Sequence, residues 1–348
     1  MGIFRRPRDT SPSTPLAVAE FWEWWSQARP TIESALSSSP AGDGLSADIV
    51  EELSRRVHKI HPRLQWEVGG GDERPASLTL TGGGDPELRG LAERWSLVAP
   101  DDGGWHFHPS RQADPEMLTQ ELVLGDHEFD LEYVRFGMRA DQARARVHVL
   151  AYHPDFLFVS DEQRLQVAVH VLDWALGEDD VARWIGDVSI ATEAPMDALP
   201  PGLLPSVVEQ ITENFDEPAW LEAEYRTPRG HPARLSARFP LHRQDYPLCD
   251  LHVSISVPYA KSNPDRLPVE PSASALREFE KKLTALGDRA VLAVRQTGDG
   301  LRVFTLYADP DSGVISDLDQ LAAAWPEGKA KVESASDPAW SALSPFRP

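Results

Sequence analysis

The longest regular pattern of apolar residues in the chain follows Ser160. Ser160 and Gln163 have the spacing of a capping box, which predicts the start of a helix. Apolar residues then recur at helical spacing up to Leu176 and cover most of the helix circumference, so we expect neighbours on more than one side. Gly177 predicts the end of the helix. This helix is therefore expected to form the core of an N-terminal domain.

Strict alternation of apolar and polar residues predicts strands, and residues 251–257 are the clearest case. Shorter alternations and helical patterns give the order αββαβ twice, over about residues 47–107 and about residues 273–333. The two runs share no residue identities that would show a duplication. They predict a common architecture of roughly ferredoxin-like type.

The length of the chain indicates how these elements are divided. At 348 residues it is longer than most single domains, so two domains are expected. The predicted fold class is α+β, with two domains of antiparallel sheet that each carry helices on one face. We predict a disordered N-terminus over residues 1–15, an N-terminal domain over 16–215 and a C-terminal domain over 216–348. The boundary is placed in the acidic, proline-containing segment Asn214–Pro218.

Composition excludes several classes of protein. The net charge is −21, from 55 acidic and 34 basic residues, which argues against wrapping a nucleic acid. No apolar run approaches the roughly 20 residues that a membrane helix needs. The basic N-terminus lacks the apolar segment of a secretory signal. The single cysteine, Cys249, excludes an internal disulfide framework and is typical of the reducing cytosol, so a cytoplasmic protein is expected.

Three of the histidines form a candidate metal site. His106 and His108 are two residues apart on a predicted strand and should point to the same face. His148, on a later strand, would join them if that strand pairs nearby. Three imidazoles on one face can bind zinc. In the alternative, all three lie on the solvent face of their strands.

The second candidate is the pair His170 and Asp173, on the only polar stripe of the helix after Ser160. A structural hydrogen bond and an acid–base pair are both open for these two residues. The sequence contains no nucleophile elbow, P-loop or dinucleotide-binding fingerprint. No catalytic residue and no cofactor is therefore assigned.

Residues 220–308 carry a family resemblance. The residues that carry it are Trp220 and Tyr225, the segment Asp245-Tyr246-Pro247-Leu248 before the alternating strand, and Gly300-Leu301-Arg302 with the aromatic residues after it. With these motifs the segment resembles the uncharacterised bacterial family called domain of unknown function 695. Members often precede, or are fused to, a domain similar to the B-type protein regulator of ribonuclease E, which is acidic and binds protein. The resemblance implies a non-catalytic interaction role.

Three functional hypotheses follow. The first is a protein-binding or regulatory module that engages another protein through its acidic surface or a sheet edge, with a homodimer as a further option. The rival is a metal- or small-molecule-binding enzyme with a pocket at the domain junction, where the three candidate histidines and Trp220 would converge. The third, an immunity protein against a polymorphic toxin or a stress-response protein, would also bind protein.

Overall fold

A computed structural model of the protein describes residues 14–38, 45–71, 74–101, 104–215 and 218–347. The chain divides into two compact units, Met1–Ser110 and Arg111–Pro348. The predicted disordered terminus lies almost wholly outside the described residues. The predicted boundary in Asn214–Pro218 lies within the second unit, and residues 216 and 217 are not described. The domain limits drawn from the sequence therefore stay a prediction.

The first unit contains helices and a small sheet. Its helices are α1 (Thr14–Ser38), α2 (Ala47–Ile60) and α3 (Arg89–Leu97), and its strands are β1 (Gln65–Gly71), β2 (Arg74–Thr81) and β3 (Trp105–His108). The strands form one sheet in the order β1-β2-β3. Aromatic side chains from α1, α3 and β3 form much of the core, and Trp25 and Trp95 are fully buried. The element order α2-β1-β2-α3-β3 confirms the first predicted αββαβ run.

The second unit holds the remaining elements. Its helices are α4 (Asp161–Leu176), α5 (Glu178–Trp184), α6 (Leu204–Thr212), α7 (Ser272–Thr284) and α8 (Val314–Ala323). Its first strands are β4 (Glu121–Leu124), β5 (His127–Asp130), β6 (Arg135–Asp141), β7 (Arg146–Tyr152) and β8 (Ile185–Ala191). Its later strands are β9 (Ala219–Arg226), β10 (Pro232–Phe239), β11 (Leu251–Pro258), β12 (Ala290–Gly298), β13 (Leu301–Ala308) and β14 (Lys331–Ser336).

Helix α4 has the start and the end that its sequence predicts, but its burial differs from the expectation: Leu165 and Val169 are 46% and 37% exposed, whereas Asp173 is buried. The backbone N–H of Gln163 donates to Ser160 Oγ at 3.3 Å, and the Ser160 N–H donates to Gln163 Oε1 at 3.2 Å. Gly177 ends the helix with a φ of 82°, in the region that favours glycine. Val167, Val171 and other apolar residues of α4 pack with α6 and with the sheet β6-β7-β8 in one core.

The six-stranded sheet of the second unit has the order β14-β11-β13-β12-β10-β9, and every pair in it is antiparallel. Its elements β11-α7-β12-β13-α8-β14 make a βαββαβ unit of the ferredoxin-like type that the second αββαβ run predicts. Helices α7 and α8 cover one face of the sheet. Trp340 and the 3-10 turn Ser341–Phe346 pack on the other face.

The mixed helix and strand content confirms the α+β class, but the expectation of purely antiparallel sheets is wrong for the two three-stranded sheets. In these sheets β2 pairs with β3, and β7 with β8, in parallel. Each parallel pair is joined through helical segments, α3 in one case and α4 with α5 in the other. A tight hairpin can join only antiparallel strands, whereas a helical crossover returns the chain in the same direction.

Candidate functional site

His106 and His108 lie on β3 in the first unit. Their ring centroids are 6.0 Å apart and the ring planes meet at 21°, so both side chains project from the same face, as predicted. Burial lowers the pKa of His108, and the charge of His106 lowers it further. Burial and the neighbouring His106 therefore both disfavour the protonated form of His108.

The third histidine of the candidate metal site, His148, lies on β7 in the second unit. Its Nδ1 accepts a hydrogen bond from the backbone N–H of Asp187 at 3.0 Å. Its Nε2 lies 3.6 Å from Asp141 Oδ2 and forms no hydrogen bond with the part of the chain that the structure describes. Among the described residues, no group of three or more His, Cys, Asp or Glu side chains is arranged to hold a metal ion. The zinc site stays a prediction.

The polar stripe of α4 contains a buried ion pair. Asp173 is 4% exposed, and its Oδ2 accepts from Arg111 Nη1 at 3.0 Å. The backbone N–H of Arg111 donates to Glu178 Oε2 at 3.1 Å, so Arg111 is held by two carboxylates near the end of α4. The His170 ring stacks on Trp174 with centroids 5.4 Å apart. These contacts give Asp173 a structural partner that the sequence did not indicate, and the acid–base role stays untested.

A groove of about 600 Å³ lies beside α7 on the helix-covered face of the six-stranded sheet. We call it the α7 groove. Its walls come from α7, from β9, β10, β12 and β13, and from the loop before α7. The lining residues are Glu222, Arg234, Ser236, Leu267, Pro268, Ala273, Arg277, Glu280, Lys281, Thr284, Arg295, Thr297 and Arg302. Five of these side chains are cationic and two are carboxylates.

Glu280 fixes the cations at the inner wall of the α7 groove. Arg295 Nη1 donates to Glu280 Oε1 at 2.5 Å, and Arg302 Nη1 lies 3.8 Å from Glu280 Oε2. Arg295 also pairs with Glu222 at 3.1 Å and lies over the Trp220 ring, 4.3 Å from its centroid. Arg302 donates to Thr297 Oγ1 at 2.8 Å. The inner wall is therefore a positioned network of charged hydrogen bonds.

The outer cations of the groove are held more weakly. Arg277 and Lys281 on α7 pair with Glu270 and Glu278, each at 2.7 Å. Both pairs are more than half exposed, and exposed pairs contribute about 0–1 kcal/mol because water and salt screen them. Arg277 and Lys281 can therefore exchange these carboxylates for those of a ligand at little cost.

The C-terminal part of the chain, which contains the α7 groove, is similar to a known family. Residues 227–346 match the model of a family of unknown function, DUF695. All lining residues of the α7 groove except Glu222 fall within this DUF695 segment. The match confirms the resemblance expected for the C-terminal part and assigns no activity to it. No curated protein and no solved structure matches the chain.

His242 lies between β10 and β11 and is not among the site residues that the sequence predicts. Its side chain is 9% exposed and meets the edge of the Trp184 ring at a centroid distance of 4.7 Å. Burial lowers the pKa of His242 to about 3, and the charges of Arg146, Arg183 and Arg347 act in the same direction. His242 belongs to no helical or alternating pattern, and its cationic neighbours come from distant parts of the chain. No sequence signal distinguishes it from the other histidines.

His242 makes stability depend on pH. The unfolded chain binds a proton at His242 near pH 6.5, whereas the folded chain keeps the ring neutral down to a pKa of about 3. The free energy of unfolding should therefore fall as pH decreases from about 6.5, and by about pH 4.5 the loss due to His242 should reach about 2–3 kcal/mol. Urea unfolding of the wild type and of His242→Phe at about pH 7 and about pH 4.5 measures this loss.

The His242→Phe variant should lack that part of the pH dependence, because phenylalanine does not titrate. Exposed His58 on α2 provides the control, since His58→Gln should leave the pH dependence close to that of the wild type. Equal losses between the two pH values in the wild type and in His242→Phe would contradict the prediction.

Proposed function

We propose that the C-terminal part of this chain is a non-catalytic protein-binding module that holds an acidic, extended segment of another protein in the α7 groove. The observation that supports the proposal is local: five cations and two carboxylates line this groove in a chain of net charge −21. Because the chain as a whole repels polyanions, a nucleic acid is disfavoured, whereas a short acidic segment needs only the local charge.

The inner and outer walls of the groove would have different roles. Arg295 and Arg302 are already oriented by Glu280, so they present guanidinium groups in fixed positions. A guanidinium group that is held in a fixed position can bind a carboxylate through two parallel hydrogen bonds. Arg277 and Lys281 are exposed surface cations that would attract the segment and pair with it. Such charges mainly increase the rate of association and the selectivity for acidic partners.

Strand β9 offers a second contact beside the groove. It is the last strand on its side of the six-stranded sheet, and Glu222 on β9 lines the groove. Leu221 and Tyr225 on this strand are 46% and 41% exposed. An extended partner segment could therefore pair with the outer backbone of β9, the mode of binding known as strand addition.

The expected cytoplasmic location is part of this proposal. Cys249, the single cysteine, is buried. Within the described parts of the chain, no helix has both the length and the apolar character required to cross a membrane.

Charge reversal in the groove tests the proposal. Lys281→Glu should weaken binding of a short oligoglutamate peptide, measured by calorimetry at low salt, by about tenfold, because one attractive contact becomes repulsive. Lys331→Glu on β14, at the opposite edge of the sheet, changes the net charge equally and should bind as the wild type does. Raising the salt concentration should weaken binding to the wild type more than to Lys281→Glu.

Partner capture then extends the test to natural ligands. Wild type and Lys331→Glu should capture the same proteins through acidic segments, and Lys281→Glu should lose them. Equal affinity for the oligoglutamate peptide in all three proteins would contradict the proposal. Tighter binding of single-stranded RNA than of the oligoglutamate peptide at the groove would contradict it as well.

A further inference from the structure

A second concave site in the second unit is separate from the α7 groove. A cavity of about 130 Å³ lies between the start of β7, the end of β10, β12 and the C-terminal turn Ser341–Phe346. It shares no lining residue with the α7 groove. The volume equals about four times the share of one water molecule in the liquid, which is enough for an ion of a few heavy atoms.

The polar lining of this cavity is cationic. Arg144, Arg146, Arg238 and Arg347 contribute to it together with His242, and no carboxylate occurs among its described lining residues. The remaining lining residues are apolar, and of the four arginines Arg146 and Arg238 are half-buried whereas Arg144 and Arg347 are exposed. Burial lowers the pKa of Arg146, and the nearby Arg347 lowers it further. Four arginines around one small cavity repel one another unless an anion lies between them.

Arg146 is held in place from outside the cavity. Its Nη1 donates to the backbone oxygen of Ala182 at 2.9 Å and also to that of Arg183, at the carboxyl end of α5. Helix carboxyl ends favour cations, so this contact fixes the guanidinium independently of any ligand. The arginine is thus positioned before an anion arrives.

His242 provides a buried polar atom without a partner. The side chain is nine-tenths buried, and its Nε2 forms no hydrogen bond with any described residue. Buried polar atoms of this kind are rare in folded proteins, and an unpaired one calls for a ligand or another explanation. A neutral imidazole can donate one hydrogen bond to an anionic oxygen.

We propose that this cavity binds a phosphate-sized oxyanion between the four arginines and His242. Arginine pairs are well suited to phosphate because their N–H groups match two of its oxygens. The proposal does not depend on the role of the α7 groove, because different residues carry the two sites. It gives this chain a small-molecule ligand in addition to a protein partner.

Calorimetric titration of the full chain with inorganic phosphate, in a low-salt chloride buffer, tests the proposal. Saturable binding of one phosphate per chain is expected. Arg238→Gln and Arg347→Gln should each weaken it by about tenfold, because each removes a charged hydrogen-bond donor. His242→Phe should weaken it as well while keeping an aromatic ring against Trp184. Circular dichroism of each variant shows whether it is folded.

Two control variants locate the site. Lys331→Gln removes one positive charge from β14 and should leave the phosphate affinity unchanged. Lys281→Gln removes one positive charge from the α7 groove and should also leave the phosphate affinity of the cavity unchanged. A second titration uses phosphoserine. If phosphoserine binds more tightly than phosphate, the ligand is a phosphate ester; if it binds more weakly, the ligand is the free ion. Absence of saturable binding, or equal weakening by Lys281→Gln and Arg347→Gln, would overturn the proposal.

Discussion

Replacing Asp173 with alanine is expected to lower the free energy of unfolding by about 3–5 kcal/mol. Asp173 and Arg111 are both less than 10% exposed, and the pair joins α4 to a residue 62 positions earlier in the chain. Removing the carboxylate leaves the guanidinium buried opposite an apolar methyl group. The cost of a buried charge that has lost a counter-ion is much larger than the net contribution of the intact pair.

Urea unfolding followed by circular dichroism measures this loss. Asp161 on the same helix is the matched control, because its pair with Arg164 is exposed, with the Asp161 side chain 96% accessible. Asp161→Ala should cost less than about 1 kcal/mol. Equal losses of stability in the two variants would contradict the prediction, because the buried pair between Asp173 and Arg111 would then matter no more than an exposed pair.

Replacing Trp340 with alanine should have a comparable effect of about 3–5 kcal/mol. Trp340 is fully buried and stacks on Tyr307 with ring centroids 4.3 Å apart. Its Nε1 donates to the backbone oxygen of Cys249 at 2.7 Å. The substitution would therefore leave a large cavity beside the sheet and remove the hydrogen bond to the Cys249 carbonyl group.

The thiol of Cys249 provides an independent readout of the same change. It is 1% exposed in the apolar cluster that contains Trp340, so it should react slowly with a thiol reagent in the wild type and faster in Trp340→Ala. Trp340→Phe keeps a ring against Tyr307 and should lose less stability than Trp340→Ala.

An exposed aromatic residue provides the control for this prediction. Phe158 is 78% exposed, and Phe158→Ala should change the free energy of unfolding by about 0.5 kcal/mol or less. An unchanged thiol reaction rate in Trp340→Ala would contradict this account.

Local signals in the sequence were sufficient for much of the fold. The capping box at Ser160 and the glycine at position 177 mark the two ends of one helix, and the structure reproduces both. The alternating residues 251–257 likewise correspond to β11. Both patterns arise from contacts between near neighbours and from one buried face, and such properties can be recognised without knowledge of the partners.

Pairing across the chain could not be predicted in the same way. No local pattern indicates that Asp173 contacts Arg111, or that β2 and β3 run in parallel, because each depends on where a distant segment packs. The same limit applies to the α7 groove. Arg234, Lys281 and Arg302 are unremarkable surface residues by sequence, and only the register of the sheet and the position of α7 bring them together. Sequence analysis instead emphasised histidines, which the structure places in different units.

The position of β11 in its sheet has a consequence for synthesis of the chain. β11 lies between β13 and β14, which follow it by about 50 and about 80 residues along the chain. On a ribosome, an alternating strand with a fully apolar face would therefore emerge long before either neighbour is available. Its backbone and its apolar side chains would be open to association with other nascent chains during that interval. The rate of translation through residues 259–336 should thus influence how much of the protein reaches the folded state.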